Sequence, residues 1–502
     1  MHVTLINPPA LPGRLNYSAF CHPPLGLSYL AACLREEGRH TVSVVDAVGE
    51  AIDRMASYPE DRRFLVQGLP FSEILSRISR RTDLIGISCM FTHAWPLVRQ
   101  LVKQIHAAFP GVPIIAGGEH PTALYALCLD QAPLTACVLG EGERTLVCLA
   151  DALESGRPLS AVDGLAWKDP ATGQIHKNSG RQAVPDPDDL PDPAWELIPW
   201  RAYRLYEGPA TAATIPMLAS RGCPHACAFC SAPAMWPGGW RKRRAESIVR
   251  EMRRYATVEQ IREFQFVDIS PLIDRKWFLD LCRLIRERLP DIRWQMPVGG
   301  RPEIVDQETA DLMVDSGCRH IQFAPESGSP EVLAAMHKRL DLDRFRSAVR
   351  HAGRAGMIVS VLFIIGYPTE KLGDIRQTYR LIRWLAKQGV AEIAISSFAL
   401  LPGTKIFADL AADRKLAIDD AFCYQTAGAT AFIPSKSWNP SMGKIQLLIL
   451  KWLGLIQFYA IAFARRPGRL VRMAANLIRG RQETKADRVL AELAEKFRRG
   501  TF

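Results

Sequence analysis

Acidic residues nearly vanish from the end of this chain. Between Lys436 and Phe502 there are fourteen Lys and Arg against four acids, a surplus of ten that supplies almost all of the formal net charge of +11. The basic balance is therefore local and says little about the remaining sequence. Stacking aromatics are not interleaved with those cations after Tyr459, so no nucleic-acid partner is expected. The start lacks a basic segment followed by an apolar core; His2–Asn7 reads as a strand, and nothing there indicates export. Twelve cysteines are scattered, and outside one loop none stand at metal-ligand spacing, so they read as free thiols of a reducing, cytoplasmic compartment. Leu447–Ala464 comes nearest to a membrane span, but Lys451 and Gln457 interrupt it and it falls short of about 20 apolar residues.

The exceptional loop is Arg221-Gly222-Cys223-Pro224-His225-Ala226-Cys227-Ala228-Phe229-Cys230. Three thiolates so close can close around a metal cluster without distant sequence. A cubane iron-sulfur cluster is normally held by four, so the absence of a nearby fourth cysteine leaves one iron open to another ligand. A zinc knuckle with His225 as fourth ligand is the competing reading. His225 would then have to fold back between the first two cysteines. The Cys-x3-Cys-x2-Cys spacing, with Phe229 just before the third cysteine, resembles the radical S-adenosylmethionine (SAM) enzymes. That resemblance implies a 4Fe-4S cluster on Cys223, Cys227 and Cys230, SAM chelated at the open iron with Phe229 beside it, and cleavage to a 5′-deoxyadenosyl radical by an electron from a reductant such as flavodoxin or ferredoxin.

A chain of 502 residues is too long for one core. Residues 1–155 alternate short β-branched runs with helical periodicity, the pattern of a doubly wound, Rossmann-like α/β sheet. Strands are predicted at His2–Asn7, Thr41–Asp46, Asp83–Ser88, Val112–Gly117 and Ala136–Leu139, with helices such as Leu27–Glu37, Trp95–Ala108 and Arg144–Leu153 between them. Ligands of such sheets bind beyond the carboxyl ends of the strands. Those ends carry Asn7-Pro8-Pro9, Asp46-Ala47, Ser88-Cys89, Gly117-Gly118-Glu119-His120 and Gly140-Glu141-Gly142-Glu143. Glycine there lets a bulky cofactor approach the backbone, although a tight turn alone would explain it. With Pro23-Pro24-Leu25-Gly26 opening the first helix, the order of these ends resembles the cobalamin-binding domain fused ahead of many radical SAM cores. The resemblance implies cobalamin contacts from Asn7, Leu25, Gly26, Ser88, Gly117, Gly118, Gly140 and Glu141. The Asp-x-His-x-x-Gly motif of cobalt-ligating domains is missing, and His22 and His120 are isolated. Cobalt is therefore expected to have no protein histidine.

Residues 156–213 read as a connector, with a hairpin at Ala166–Ile175 and a Pro- and Asp-rich surface linker over Pro185–Pro199. From 214 to about 410 six strand-helix units follow, with strands at Thr214–Ala219, Glu263–Asp268, Ile292–Pro297, Arg319–Ala324, Ile358–Ile365 and Ala391–Phe398. Six units suggest an open (β/α)6 TIM-like barrel with its active residues at the strand carboxyl ends. The cysteine loop follows the first of these strands. By the same resemblance Asp268 lies where an acid contacts the SAM amino group, with a helix cap as its other reading. Glu326 and Ser327 match a Glu-Ser-Gly segment whose glutamate reaches the SAM ribose. Gly366, in Gly366-Tyr367-Pro368-Thr369-Glu370, lies on the segment that packs against adenine, and Leu401-Pro402-Gly403-Thr404 is a structural turn.

The region 411–502 is basic and helical. Leu447–Ala464 is either a helix that caps the open barrel or an interfacial helix whose basic follow-on attracts anionic lipid, putting the enzyme at the inner face of the membrane. The function that the resemblance implies is a cobalamin-dependent radical SAM C-methyltransferase acting on an unactivated carbon of a small or lipid-like molecule. A cyclase or rearrangement enzyme with the same cofactors is the alternative within enzymes. A cobalamin-binding sensor or carrier with a retained cluster is the alternative outside them.

Overall fold

The computed structural model describes residues 1–14, 22–36, 38, 40–180, 183–203, 214–237, 239–414, 416–479 and 487. Its first sheet is built from β1 (His2–Asn7), β2 (Thr41–Asp46), β3 (Leu84–Ser88), β4 (Ile114–Gly117) and β5 (Ala136–Val138), all parallel, extended by the antiparallel β6 (Leu165–Lys168) and β7 (Ile175–Lys177). The order is β2-β1-β3-β4-β5-β6-β7. Helices α1 (Leu25–Glu36), α2 (Trp95–Ala108), α3 (Glu119–Gln131) and α4 (Glu143–Ser155) follow strands of this sheet. Both faces are covered, so the strands read as buried apolar runs such as Leu84-Ile85 and Ile114-Ile115. The 2-1-3-4-5 order reverses direction between β1 and β3, which is where a doubly wound sheet opens a ligand crevice.

The connector departs from the loose surface linker expected of it. Its hairpin is the β6–β7 extension of the first sheet. Trp195, Ile198 and Trp200 are buried in the core of the second sheet. Asp188 accepts a hydrogen bond from the Arg244 N–H at 2.6 Å, and Arg254 pairs with Asp192 at 2.6 Å. Tryptophan is too large to leave wet at a domain joint when an apolar wall is available, and this outweighs the Pro and Asp content.

The second sheet has six parallel strands in chain order: β8 (Thr214–Met217), β9 (Glu263–Phe266), β10 (Arg293–Gly300), β11 (Cys318–Glu326), β12 (Ile358–Ile365) and β13 (Glu392–Ser397). Helices α5 (Ala245–Val258), α6 (Arg275–Arg288), α7 (Gln307–Asp315), α8 (Leu342–Arg354) and α9 (Leu372–Gln388) return the chain between them. Several begin on acid caps: Asp274 accepts from the Trp277 N–H, Asp306 from the Thr309 N–H and Asp341 from the Asp343 and Arg344 N–H groups. This is the open six-unit barrel of the sequence reading.

The region after the barrel forms α10 (Lys405–Arg414), α11 (Asp420–Thr426), α12 (Lys444–Arg465) and α13 (Gly468–Arg479). Helix α12 lies along α9 and the edge strand β13. A Cβ on Gly454 would come within 2.6 Å of Ile395 Cδ1, so glycine is needed for that approach. Leu447, Phe458 and Ala462 are buried in the barrel core. One face of α12 thus caps the open edge of the sheet.

Candidate active site

Gly222 turns the chain into the cysteine loop at φ 77°, and a Cβ there would sit on the Gly239 carbonyl. Ser220 and Arg221 pair antiparallel with Lys242 and Arg241, anchoring the entry to the loop. The Ala228 N–H donates to the Met336 carbonyl at 2.9 Å, and the Ala228 carbonyl accepts from the Ile406 N–H at 3.0 Å. The loop is therefore fixed by three distant segments. Burial raises the Cys227 thiol, with Lys338 and Arg301 opposing it, and pushes Cys230 up to about 11. Such thiols become thiolates when a metal binds.

Zinc with sulfur ligands at about 2.3 Å brings them to about 3.8 Å from one another. Among the described residues one trio of His, Cys, Asp and Glu has its ligand atoms within 4.8 Å of one another, His40, Asp151 and Glu154, and the cysteine loop supplies none. The three thiols are therefore not gathered around one small ion in this structure, and the cations Lys338 and Arg301 act on Cys227. The His40 trio is an ion-pair group around the amino terminus, whose nitrogen lies 2.9 Å from Glu154.

The residues expected around SAM divide into two kinds. Asp268, expected at the SAM amino group, is buried and bonded within the protein, chiefly through Oδ1. It accepts from the Ala219 N–H at 3.0 Å, the Ser220 N–H and the Ser220 hydroxyl at 2.7 Å. Burial raises its carboxyl to about 6 despite those bonds. In this arrangement it holds the strand end that enters the cysteine loop. Ser327 is likewise internal: its hydroxyl lies 3.2 Å from that of Thr378 and accepts from the Ser329 N–H. Glu326 differs. It stands at the carboxyl end of β11, past a register irregularity, at φ 67°, a left-handed conformation costly for a glutamate. Lys338 donates to it at 2.6 Å, and the same ammonium stands 5.9 Å from the centre of the Phe229 ring. Gly366 has φ 80°, donates its N–H to Glu370 and is covered by Leu447, which a Cβ would strike at 2.7 Å. The other Glu370 oxygen is buried without a hydrogen-bond partner, and burial lifts that carboxyl to about 8. The Gly403 turn closes with the Thr404 hydroxyl donating to the Leu401 carbonyl at 2.7 Å.

The expected cobalamin contacts divide in the same way. The Asn7 amide donates to Asp46 at 2.7 Å, its direct neighbour in the β1–β2 register, and Tyr203 donates to the same carboxylate. Gly118, at φ 113°, is demanded by the fold, because a Cβ would lie 2.7 Å from the Cys89 carbonyl oxygen. Gly140 is a left-handed turn whose N–H donates to Thr122. Leu25 packs against the barrel core. Gly26 stands beside open space, a Cβ on Gly117 would make only ordinary contact with Val138 at 3.8 Å, and Ser88 is half-buried on the neighbouring strand end. After Ser88, Met90 and Phe91 are exposed at the switch point of the sheet. His93, which the sequence reading passed over, stacks on Phe91 at 5.7 Å, and burial lowers its imidazole to about 4. His120 packs on Trp95 beside Thr92. Open glycine backbone and exposed apolar side chains at the crevice fit a large, partly apolar cofactor.

Glu141, expected beside cobalamin, is bonded on both oxygens within the protein. Its carboxylate accepts from the Val184 N–H at 2.8 Å and from both terminal nitrogens of Arg241, and Arg221 stands 3.9 Å away. Glu143 pairs with Arg221 at 2.6 Å, and the Arg221 guanidinium lies over the Tyr29 ring. All four charged side chains are buried or nearly so. The Gly-Glu-Gly-Glu strand end is thus locked to the residue that opens the cysteine loop. Beside it burial raises the Glu119 carboxyl, and Ser231, the residue after Cys230, stands near enough to oppose that shift. The carboxyl end of the first sheet abuts the cysteine loop of the second.

Two family profiles match the chain, the B12 binding domain over residues 13–150 and the Radical SAM superfamily over residues 217–382. Cytidylyl-2-hydroxyethylphosphonate methyltransferase of Streptomyces wedmorensis is 30% identical over 392 residues, which cover 73% of this chain and 73% of that one. An uncharacterised methyltransferase of Pyrococcus horikoshii is 28% identical over 414 residues, 81% of this chain and 82% of that one. The solved structure of the radical SAM methyltransferase TsrM of Kitasatospora setae, with cobalamin and a 4Fe-4S cluster bound, shares the fold at a TM-score of 0.64 and 19% identity, covering 82% of this chain and 78% of that one. With both profiles in this order, and a cysteine loop and a sheet crevice facing each other, the chain belongs to the cobalamin-dependent radical SAM enzymes.

Proposed function

We propose that the enzyme transfers a methyl group to an unactivated carbon of a small-molecule substrate. The observation that carries this reading is the contact between the two sheet ends through Glu141, Glu143, Arg241 and Arg221. It supports two cofactors facing one enclosed space. When bound, SAM on the cluster supplies a hydrogen-abstracting radical and cobalamin a transferable methyl group. Cys223, Cys227 and Cys230 would hold the cluster. Glu326, oriented by Lys338, would accept the ribose hydroxyls, and Phe229 and the turn at Gly366 would flank the nucleoside. Gly26, Gly117 and Ser88 would lie against the corrin, with Met90 and Phe91 supplying apolar surface. A carbon without a nucleophilic electron pair needs such radical chemistry, and the protein's share is to orient the groups and exclude water. A reductant of the flavodoxin or ferredoxin type, and a peripheral position at the inner face of the membrane reached through α12 and α13, complete the reading.

Measuring 5′-deoxyadenosine and S-adenosylhomocysteine together tests it. Both should form in the reconstituted enzyme, and neither in a Cys227→Ala chain. 5′-Deoxyadenosine alone would point to cyclisation or rearrangement instead, and neither product to a binding protein.

A further inference from the structure

Helix α12 is long and apolar enough to cross a membrane, yet 28% of its most apolar window is buried inside the protein. That buried face is built for its neighbours. Lys451 is 1% exposed and its ammonium donates to the Ala429 and Ala431 carbonyls at 2.9 Å each. Tyr379 donates to the Leu450 carbonyl at 2.6 Å, and Arg383 to Gln457 at 2.8 Å. A spanning helix would have to give up all of these and carry the Lys451 charge into hydrocarbon.

The opposite face is apolar, and of its residues Trp452 stacks on Phe432 at 4.8 Å. Ile445, Ile449, Trp452, Leu453 and Ile456 recur at helical spacing and are all exposed, Ile445 by 61%. Helix α13 repeats the pattern with Leu470, Val471, Leu477 and Ile478, the last exposed by 85%. From Lys444 to Arg479 there is no Asp or Glu, while Lys444, Arg465, Arg466, Arg472 and Arg479 are exposed. Apolar stripes of this extent on a folded protein mark an interaction surface. A second copy of the same face would bring cations against cations with no acid to meet them. An anionic bilayer supplies both the apolar layer and the missing negative charge.

We infer that α12 and α13 form an in-plane anchor for anionic lipid, clamped to the barrel on one side and immersed at the headgroup level on the other. The inference rests on the peripheral location proposed above and not on the methyl-transfer chemistry. Because Leu447 covers Gly366 and Asn439 donates to the Tyr367 and Glu370 carbonyls, the anchor begins beside the carboxyl end of β12. The bilayer would lie next to the strand end at which Gly366 turns.

The test is co-sedimentation of the reconstituted full-length chain with phosphatidylcholine vesicles, with and without phosphatidylglycerol. Anionic vesicles should retain at least about tenfold more protein, and salt should release it. Ile449→Asp combined with Ile456→Asp should abolish retention while melting temperature and 5′-deoxyadenosine formation stay at the wild-type level. That readout keeps a failed anchor distinct from a failed chemistry. Negligible sedimentation with both vesicle types overturns the inference. So does retention that resists salt and alkaline carbonate, which would mean a spanning helix, or a lipid-indifferent dimer that the same substitutions dissociate.

Discussion

Replacing Glu141 by glutamine should open the joint between the two sheets. The carboxylate accepts from Val184 at 2.8 Å and from Arg241 through two nitrogens, one at 3.0 Å, so both oxygens are occupied. Glutamine keeps one acceptor and turns an NH2 group toward guanidinium donors. Breaking a buried ion pair from one side costs about 3–5 kcal/mol. The Arg241 side chain keeps 13% exposure and still donates to the Val184 carbonyl, which puts the cost near the lower end, about 3 kcal/mol. If that energy appears as local opening, amide exchange at the joint should accelerate by about 150-fold, at about 1.4 kcal/mol per factor of ten.

Hydrogen–deuterium exchange read by mass spectrometry checks it on peptides covering 139–144, 183–185 and 219–222. The acceleration should be confined to them, with β1 to β4 keeping their protection. Exchange within a few-fold of wild type, or an even acceleration across both sheets, would refute the idea that Glu141 is a local clamp. Glu141→Leu with Arg241→Met should restore most of the protection, since an apolar pair of similar size removes the stranded charge. Val184 should remain fast, because its N–H then has no acceptor.

Three further substitutions separate the roles assigned at the strand ends. Gly117→Leu should keep the fold, because a Cβ there makes only ordinary contact with Val138 at 3.8 Å, and should yield protein without cobalamin; cobalamin retained by the substituted chain would remove Gly117 from the site. Asp268→Asn should lower iron per chain, since it weakens the hold on Ala219 and Ser220, whereas normal iron with weakened SAM binding alone would restore Asp268 as a SAM contact. Burial lifts Glu370 from 4.5 to about 8, so the folded chain keeps a proton that the unfolded chain releases. Its contribution to stability is therefore fully present below pH about 4.5 and falls as pH rises toward about 8, by a few kcal/mol at about 1.4 per unit. Glu370→Gln should flatten that slope and raise stability at high pH, and melts of the two proteins with identical pH dependence would dismiss the buried-acid account.

The strands of both sheets were legible because parallel strands buried on two faces leave apolar runs that no helix period fits. β1, β2 and β12 begin and end where the alternation of β-branched runs and turns puts them. The connector was not legible. Its Pro and Asp residues advertise a surface loop, while the deciding residues are three large apolar side chains whose wall, the barrel, lies elsewhere in sequence.

The bonding partners of the expected site residues were not legible. Asn7, Asp268, Ser327 and Glu141 were correctly put at the carboxyl ends of strands, but their partners lie 39, 49, 51 and 100 residues away, and no local pattern reveals them. A buried carboxylate or amide must be bonded to something, and a sheet end offers either a cofactor or a neighbouring strand. Motif position cannot tell these apart; saturation of the group can. Glu141 has separate protein donors on both oxygens, while the Asp268 donors converge on Oδ1 and only the shared Ala219 N–H reaches Oδ2. Glu326 is held in a strained backbone by one lysine, and Glu370 keeps a buried oxygen without a partner. Strain and incomplete bonding persist in a folded protein where something else rewards them. On that physical ground Glu326 and the turn from Gly366 to Glu370, rather than the better-bonded acids, are the side of the barrel to which a nucleoside should bind.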